Sequence, residues 1–454
     1  MPIKASDIQK KLPDGGKKNC KECGFPTCFA FAMKLAGGGI SVDRCPYLPL
    51  EIREELSEAI APPIKLVTIG EGERALSIGE EEVMYRHEKT FYRPPGLAVL
   101  ISDLEKYEAV EAKIAKLKEL QFERVGLKLR ADLVALRYES GNKYRFLDLA
   151  KKVAEERFPM IIISEDLDIL FEARDLTFNW RPLLYSINKD NLDRALPRLK
   201  TKLTPVVVKG KGLDEIVSIT VRLKEAGITE IVLDTEPESL AQAIKDYTLI
   251  RRSALKYTFR PLGYPIISLL PLSAQSREEE SILASALVVK YASIIVLGDL
   301  DKDVLYPLLV QRQNIYTDPR VPLAVEEKVY EVGTPDENSP VLVTTNFALT
   351  YFAVAGEVEG SRVPAYLCVK NTDGLCVLAA WSTGKFIGET IGPFIKKSGV
   401  EDRIKHRRLI IPGLAARIKG EIEDELPGWE VIVGPKAAED IPTFLPKMID
   451  KWRR

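Results

Sequence analysis

Histidine is almost missing from this chain, with only His87 and His406 among 454 residues. Any mechanism that needs imidazole for acid–base work or metal ligation must draw on those two. An excess of charge of one sign is also lacking, since the formal net charge is −1. That balance gives no field to gather nucleic acid or an anionic membrane. No apolar run approaches the ~20 residues of a membrane span. The opening "MPIKASDIQKKLPDG" has no apolar core of a secretory signal. A cytoplasmic protein is therefore expected, in a compartment where thiols stay reduced and disulfide frameworks are rare. Hydrophobic residues at 46% and charged residues at 29% are ordinary for a soluble globular chain, and the length calls for two or three domains.

Cysteine is scarce too, at six, yet three of them crowd into "KKNCKECGFPTC" as Cys20, Cys23 and Cys28. Cys45 follows in "DRCPYLP", giving the spacing C-x2-C-x4-C-x16-C. Structural zinc usually takes two separated Cys-x-x-Cys knuckles. Three ligands from one short loop and a fourth from a distance suit a 4Fe–4S cubane, whose corners each need an inward thiolate. Zinc is the alternative. Gly24 and Pro26 fit a tight loop, and Thr27 is placed to cap a helix "CFAFAMKLA" that stops at Gly37. Cys28 then sits at a helix N-terminus, where partial positive charge favours its thiolate.

The cysteine module spans residues 1–58, and residues 59–95 read as a linker with a hairpin, "IKLVTIG" and "RALSIG". Two proline pairs, Pro62-Pro63 and Pro94-Pro95, punctuate that linker. From 96 to 320, apolar runs alternate with helical segments: "LAVLISD", "RVGLKLR", "MIIISED", "PLLYSIN", "PVVVKG", "EIVLDTE", "PIISLLP" and "SIIVLGD". Eight such runs predict a (β/α)8 TIM barrel with strands buried on both faces. Polar residues at the strand ends are Asp103, Arg130, Glu165, Asp166, Asn188, Lys209, Asp234 and Asp299. Loops after strands are polar in any case, so no catalytic residue is assigned among them.

Residues 321–454 read as a third, doubly wound α/β (Rossmann-like) domain. "PVLVTTNFALTYF", "VPAYLCVKN" and "GLCVLAAW" are predicted strands, and "TGKFIGETIGPFIKKSG" a helix that Pro393 kinks or shortens. Leu414, Ile418, Ile422 and Leu426 mark a buried helix face. "STGKF" lacks the first glycine of a Walker A loop, and "IIPGLAA" lacks two glycines of a dinucleotide fingerprint. The turns carry Thr344, Thr345, Asn346, Thr372, Gly374, Ser382, Thr383, Gly384, Gly413 and Gly434, small or hydroxylic residues that let a backbone approach a flat or phosphorylated ligand. Ordinary turns share that composition. Cys368 and Cys376 are expected to be buried packing residues, and both histidines to be exposed.

With "CKECGFPTCFAFAMKL", "RCPYLP", "VLVTTNFALTYF" and "IIPGLAARIKGEIEDELPGWEVIVGPKAAEDIPTFLP", essentially the whole chain resembles the large subunit of the corrinoid iron–sulfur proteins. The archaeal counterpart of that family is the gamma subunit of acetyl-CoA decarbonylase/synthase. The resemblance implies a methyl carrier of the anaerobic acetyl-CoA (Wood–Ljungdahl) pathway. A methyltransferase loads the corrinoid cobalt from a methyl-tetrahydropterin, and acetyl-CoA synthase/CO dehydrogenase unloads it. A 4Fe–4S cluster on Cys20, Cys23, Cys28 and Cys45 returns stray Co(II) to Co(I). The implied partners are a small barrel subunit, forming a heterodimer, and a reductive activator. Corrinoid contacts are expected from the ten turn residues above. Neither histidine lies in an Asp-x-His-x-x-Gly motif, so a base-off cobalt without a protein imidazole is expected. Two other readings stand beside this one: a pterin-binding barrel methyltransferase with an accessory cluster, and an electron-transfer or scaffold subunit without corrinoid.

Overall fold

The computed structural model describes residues 4–37, 40–125, 127–270, 274–318 and 320–453. They form two compact units, Met1–Phe122 with Leu129–Tyr316, and Glu123–Lys128 with Thr317–Arg454. No described helix is long and apolar enough to cross a membrane.

The first unit opens with the helices Ala5–Lys11, Cys28–Ala36 and Leu50–Ile60, closed around Ile8, Leu12, Phe31, Leu35, Leu48 and Leu56. The connector after them is anchored rather than free. Arg260 donates to the carbonyls of Glu58, Ala61 and Pro62, and Lys65 N–H donates to Gly263 O at 2.9 Å. A hairpin follows, Val67–Ile69 against Leu76–Ile78, as its alternating sequence predicts.

Eight parallel strands then form the barrel: Gly96–Ser102, Leu133–Arg137, Met160–Ile163, Leu183–Ile187, Val206–Lys209, Ile231–Asp234, Ile267–Leu269 and Ile294–Leu297. The eighth pairs with the first, while the sixth and seventh meet only at the bridge Leu233–Ile266, so the barrel is nearly closed. Its interior is filled by Ala98, Leu133, Ile161, Leu183, Val207 and Val232, with Val67, Ile69 and Ile78 of the hairpin packed among them. Gly96 is where the hairpin approaches the first strand: a Cβ there would lie 2.4 Å from Leu76 Cδ2.

The second barrel strand is not the predicted one. Phe122–Arg124 and Leu127–Leu129 form a separate two-stranded ladder, Gly126 between them lies outside the described residues, and Glu123–Lys128 groups with the second unit. "RVGLKLR" alternates apolar with charged residues, the pattern of a strand wet on one face, whereas "LVAL" at 133–136 is continuously apolar as a barrel strand requires. Arg130 therefore precedes the second strand instead of standing at its C-terminal end.

The second unit is built on a five-stranded sheet in the order Lys328–Val332, Ala365–Lys370, Val341–Thr345, Arg408–Ile411, Glu430–Val433. The first is an antiparallel edge and the others run parallel. Helices Gly388–Lys397 and Lys419–Glu425 cover one face, through Ile391, Phe394, Ile395 and Ile422. Helices Ala348–Gly360 and Ile441–Arg453 cover the other, through Val358, Ile441 and Leu445. From Val341–Thr345 the chain moves to one side, then crosses back to Arg408–Ile411 on the other, so the strand order reverses between these two neighbours.

Four local expectations are corrected here. "GLCVLAAW" is not a strand but a turn leading into the helix Val377–Ser382; Ala365–Lys370 already has a strand on each side, which leaves that segment no ladder to join. Cys376 is exposed and Leu414 is 43% exposed, while Ile418, Ile422 and Leu426 are buried as predicted. His406 is half-buried, because its ring lies against Trp452 with centroids 5.7 Å apart.

Candidate functional site

The cysteine loop is wound by three left-handed residues in six positions, Asn19 (φ 44°), Lys21 (φ 66°) and Gly24 (φ 83°). Such a backbone is costly for non-glycine residues and persists where the fold has a use for it. Here it turns Cys20, Cys23 and Cys28 toward one small cavity, which Cys45, Phe25, Phe31 and Tyr47 complete. Thr27 caps the helix Cys28–Ala36 by accepting from Ala30 N–H at 3.1 Å, and Asn19 Oδ1 accepts from Cys28 N–H at 2.8 Å. Asn19 N–H in turn points at Cys28 Sγ, 3.4 Å away, as a donor to a thiolate would. Burial raises the Cys45 thiol above its ordinary range, with a backbone hydrogen bond at Tyr47 acting against it and the neighbouring Cys23, Cys20 and Cys28 adding to it. Among the described residues, no three His, Cys, Asp or Glu side chains are gathered to chelate a single ion.

A second, larger cavity of about 330 Å³ lies within the second unit, in the crevice where the strand order reverses. Ligands of open α/β sheets bind there, beyond the C-terminal strand ends. Leu342, Thr344, Ile410 and Ile411 form its strand walls, Pro435 and Lys436 its far side, and Phe444 its helix wall. Leu349, Leu378 and Leu414 line it and remain exposed.

Two of the ten predicted turn residues line this cavity, Thr344 and Gly434. Thr344 is 1% exposed and its hydroxyl has no hydrogen-bond partner among the described residues, a condition that costs about 1–3 kcal/mol unless a ligand relieves it. Gly413 braces the wall from behind, since its Cβ would stand 2.6 Å from Gly434 O and 2.8 Å from Lys436 N. The other seven do not meet the cavity. Asn346 Oδ1 accepts from Thr372 N–H, Thr372 Oγ1 and Gly374 N–H at 2.9–3.0 Å, which knits the loop after the neighbouring strand. Thr345 is fully buried, its hydroxyl likewise without a partner among the described residues. Ser382 and Thr383 donate to Ala379 O at the end of their helix, and Gly384 faces open space. Lys436 and Cys376 also line the cavity. Sequence reasoning passed over Lys436, and took Cys376 for a packing residue like Cys368, whose buried thiol is pushed up to about 12.

Neither histidine faces this cavity. His406 Nδ1 accepts from Arg408 N–H at 3.2 Å, which leaves Nε2–H to donate to Ser339 O at 3.0 Å. His87 is exposed and stacks on Tyr85.

In the barrel, the strand-end groups serve one another. Asp103 accepts from Glu139 N–H, Ser140 N–H and Ser140 Oγ, and Asp166 caps the helix Leu167–Thr177. Lys209 pairs with Glu236 and Glu165, Tyr185 donates to Asp234, and Asp299 takes Lys116. Asp234 is fully buried, which raises its pKa even though Tyr185 stabilises its carboxylate.

A cysteine-lined module, a parallel barrel and a cavity-bearing sheet define a multi-module α/β chain built to hold more than one prosthetic group. A family model described as the CO dehydrogenase/acetyl-CoA synthase delta subunit matches residues 66–445, and one described as a putative Fe-S cluster matches residues 16–47. The corrinoid/iron-sulfur protein large subunit of Moorella thermoacetica is 42% identical, covering 98% of each chain. The acetyl-CoA decarbonylase/synthase complex subunit gamma of Methanothermobacter thermautotrophicus is 37% identical, covering 99% of each. This chain belongs to that corrinoid/iron–sulfur large-subunit family. Dihydropteroate synthase of Thermus thermophilus aligns over 55% of this chain and all of its own, at 17% identity and a TM-score of 0.38.

Proposed function

We infer that this chain is the methyl-carrying subunit of the acetyl-CoA pathway, with a 4Fe–4S cluster on Cys20, Cys23, Cys28 and Cys45 and a corrinoid in its C-terminal unit. When bound, the corrinoid supplies a cobalt that takes and gives up a methyl group, and the cluster supplies the electron that restores Co(I). What the chain contributes is placement. The cysteine loop presents three sulfurs to one cavity and Cys45 a fourth, with Asn19 N–H aimed at the sulfur of Cys28. The C-terminal sheet, which we read as Rossmann-like, offers an apolar crevice and one unpaired hydroxyl, Thr344.

That crevice carries the reading. At about 330 Å³ it is too small for a corrin macrocycle, and its size and apolar lining would hold an aromatic group of the cofactor. Leu349, Leu378 and Leu414, exposed at its rim, would hold the ring of the cofactor. Both ring nitrogens of His406 are engaged in hydrogen bonds, which agrees with a cobalt lacking a protein imidazole. Anaerobically purified protein should contain cobalt and iron in a ratio near 1:4, with a base-off corrinoid spectrum. Iron without cobalt in the heterodimer would leave an electron-transfer subunit, and cobalt-free protein that binds a methyl-pterin would leave a barrel methyltransferase. Delivery of the methyl group by a pterin-dependent methyltransferase, and reactivation by a dedicated activator, follow from the same reading.

A further inference from the structure

The cavity among the four cysteines has one aromatic wall that supplies no ligand and belongs to no packed core. Tyr47 lines that cavity from two residues beyond Cys45, yet it is 42% exposed, so its ring stands between the cavity and solvent. Two side chains fix the ring. Lys18 Nζ lies 3.2 Å from its centroid, a cation over the ring face, and the Tyr47 hydroxyl donates to Glu22 Oε1 at 2.5 Å. Lys18 and Glu22 belong to the loop that carries Cys20 and Cys23, whereas Tyr47 belongs to the segment that carries Cys45. That segment is itself held, because Arg53 donates to the carbonyls of Cys45 and Leu48, each at 3.5 Å. Pro46 between Cys45 and Tyr47 adds a fixed φ. The ring therefore ties the two halves of the cysteine set together across their cavity.

Resting on the reading that a 4Fe–4S cluster fills this cavity, we propose that Tyr47 is its lid, latched by Lys18 and Glu22, which keeps water from the cluster and makes it a stronger electron donor. The reduced cluster holds one more electron than the oxidised one, hence one more negative charge. Water stabilises the more highly charged state, so a wall that excludes water disfavours reduction and lowers the midpoint potential. A low potential is what donation to Co(II) demands. Tyr47 is a positioning residue here: it acts through the space it closes.

The test uses anaerobically purified full-length protein with its cluster in place. Two quantities are read, the midpoint potential of the cluster and the rate of iron loss to an added chelator. Tyr47→Ala should raise the midpoint, so that at a fixed applied potential the reduced-to-oxidised ratio grows about tenfold, which is about 59 mV for one electron. Its iron loss should quicken about tenfold, since both the ring contact and the hydrogen bond are gone. Tyr47→Phe keeps the ring and loses only the bond to Glu22, and Glu22→Ala loses the same bond from the other side. Each should quicken iron loss about threefold, and the double variant no further, because both undo one latch. Glu22→Gln still offers the hydroxyl an acceptor and should lose iron at the wild-type rate. Wild-type values of both quantities in Tyr47→Ala overturn the lid and leave the cluster reading standing. Multiplied effects of Tyr47→Phe and Glu22→Ala overturn the latch. Should Tyr47→Ala assemble no cluster, Tyr47→Phe decides, and iron loss at the wild-type rate there overturns the proposal. Wild-type protein that holds no iron–sulfur cluster overturns the cluster reading and the lid together.

Discussion

The barrel and the C-terminal sheet are both parallel, both covered by helices, and both end their strands in polar residues. Each also buries a strand-end threonine hydroxyl with no partner among the described residues, Thr235 in the barrel and Thr344 in the sheet, and they differ in the space beside it. At the barrel's strand ends, Asp103, Lys209, Asp234 and Asp299 are each bonded to other protein groups, and hydrophobic side chains fill the interior below. At the reversal point of the sheet, Thr344 is buried with no described group to bond, and a cavity opens beside it. Polarity at a strand end therefore does not mark a site. An unpaired group facing a space is a better marker, because its hydrogen bond must be completed by a ligand or an ordered water in that space. By that criterion the cysteine loop is a second site, with four thiols around one cavity.

The largest expected effect follows from removing one of those thiols. Cys23→Ala should abolish the 4Fe–4S absorbance or convert the cluster to a three-iron form, while cobalt content stays near wild type. Zinc in place of iron in the anaerobically purified wild-type protein would sink the cluster assignment.

Next comes a contrast within the C-terminal sheet. A methyl group at Gly413 would collide with Gly434 O, Pro435 C and Lys436 N at 2.6–2.8 Å, all backbone atoms of the cavity wall. Gly413→Ala should therefore displace that wall and lower bound cobalt roughly tenfold, with iron content unchanged. Gly384 meets nothing within 4 Å, so Gly384→Ala bears only the strain of φ 72°, about 1 kcal/mol, and should keep its cobalt. Equal cobalt loss in the two variants would break the comparison between a wall glycine and a turn glycine.

Some of this was legible from the residues alone. The cysteine spacing, the Thr27 cap and the eight-fold alternation of strand and helix are local patterns, and local patterns survive translation into structure. "RVGLKLR" is not a barrel strand because it alternates apolar with charged residues, which marks a strand with one wet face. Leu414 and Cys376 look like core residues in the sequence, and only the neighbouring strands and helices reveal that both border a cavity. Lys436 was invisible for the same reason. Its meaning depends on Glu430–Val433 lying beside Arg408–Ile411, a pairing across about twenty residues that no window on the chain displays.

In the barrel, a buried carboxylate that serves its own fold should matter to stability and not to methyl transfer. Asp103 is fully buried and accepts three hydrogen bonds from Glu139 and Ser140. Asp103→Ala removes the acceptor for two backbone N–H groups and the Ser140 hydroxyl, at a cost of about 1–3 kcal/mol, so the melting temperature should fall by several degrees. Transfer rates per bound cobalt should remain within about twofold of wild type. A large rate loss with cobalt and iron intact would mean that the barrel takes part in the chemistry.

The smallest expected effect is at His406. Its Nδ1 accepts from Arg408 N–H and its Nε2–H donates to Ser339 O, so neither nitrogen has a lone pair to offer a metal. It also precedes the strand Arg408–Ile411, whose far end borders the cavity. His406→Ala should therefore leave the Co(II) electron paramagnetic resonance spectrum unchanged, and nitrogen splitting that vanishes in the variant would overturn the base-off reading. A pH effect on stability should appear instead. Burial holds the His406 pKa below its ordinary 6.5, with Arg408 and Arg407 acting in the same direction and the bond to Ser339 against it. The folded protein thus binds this proton less readily than the unfolded chain does. The resulting stabilisation is fully present above about pH 6.5 and is lost as pH falls from there through the folded value. Denaturation midpoints near pH 7.5 and pH 5.5 should consequently converge between wild type and His406→Ala as the solution becomes more acidic, with wild type ahead by on the order of 1 kcal/mol at the higher pH.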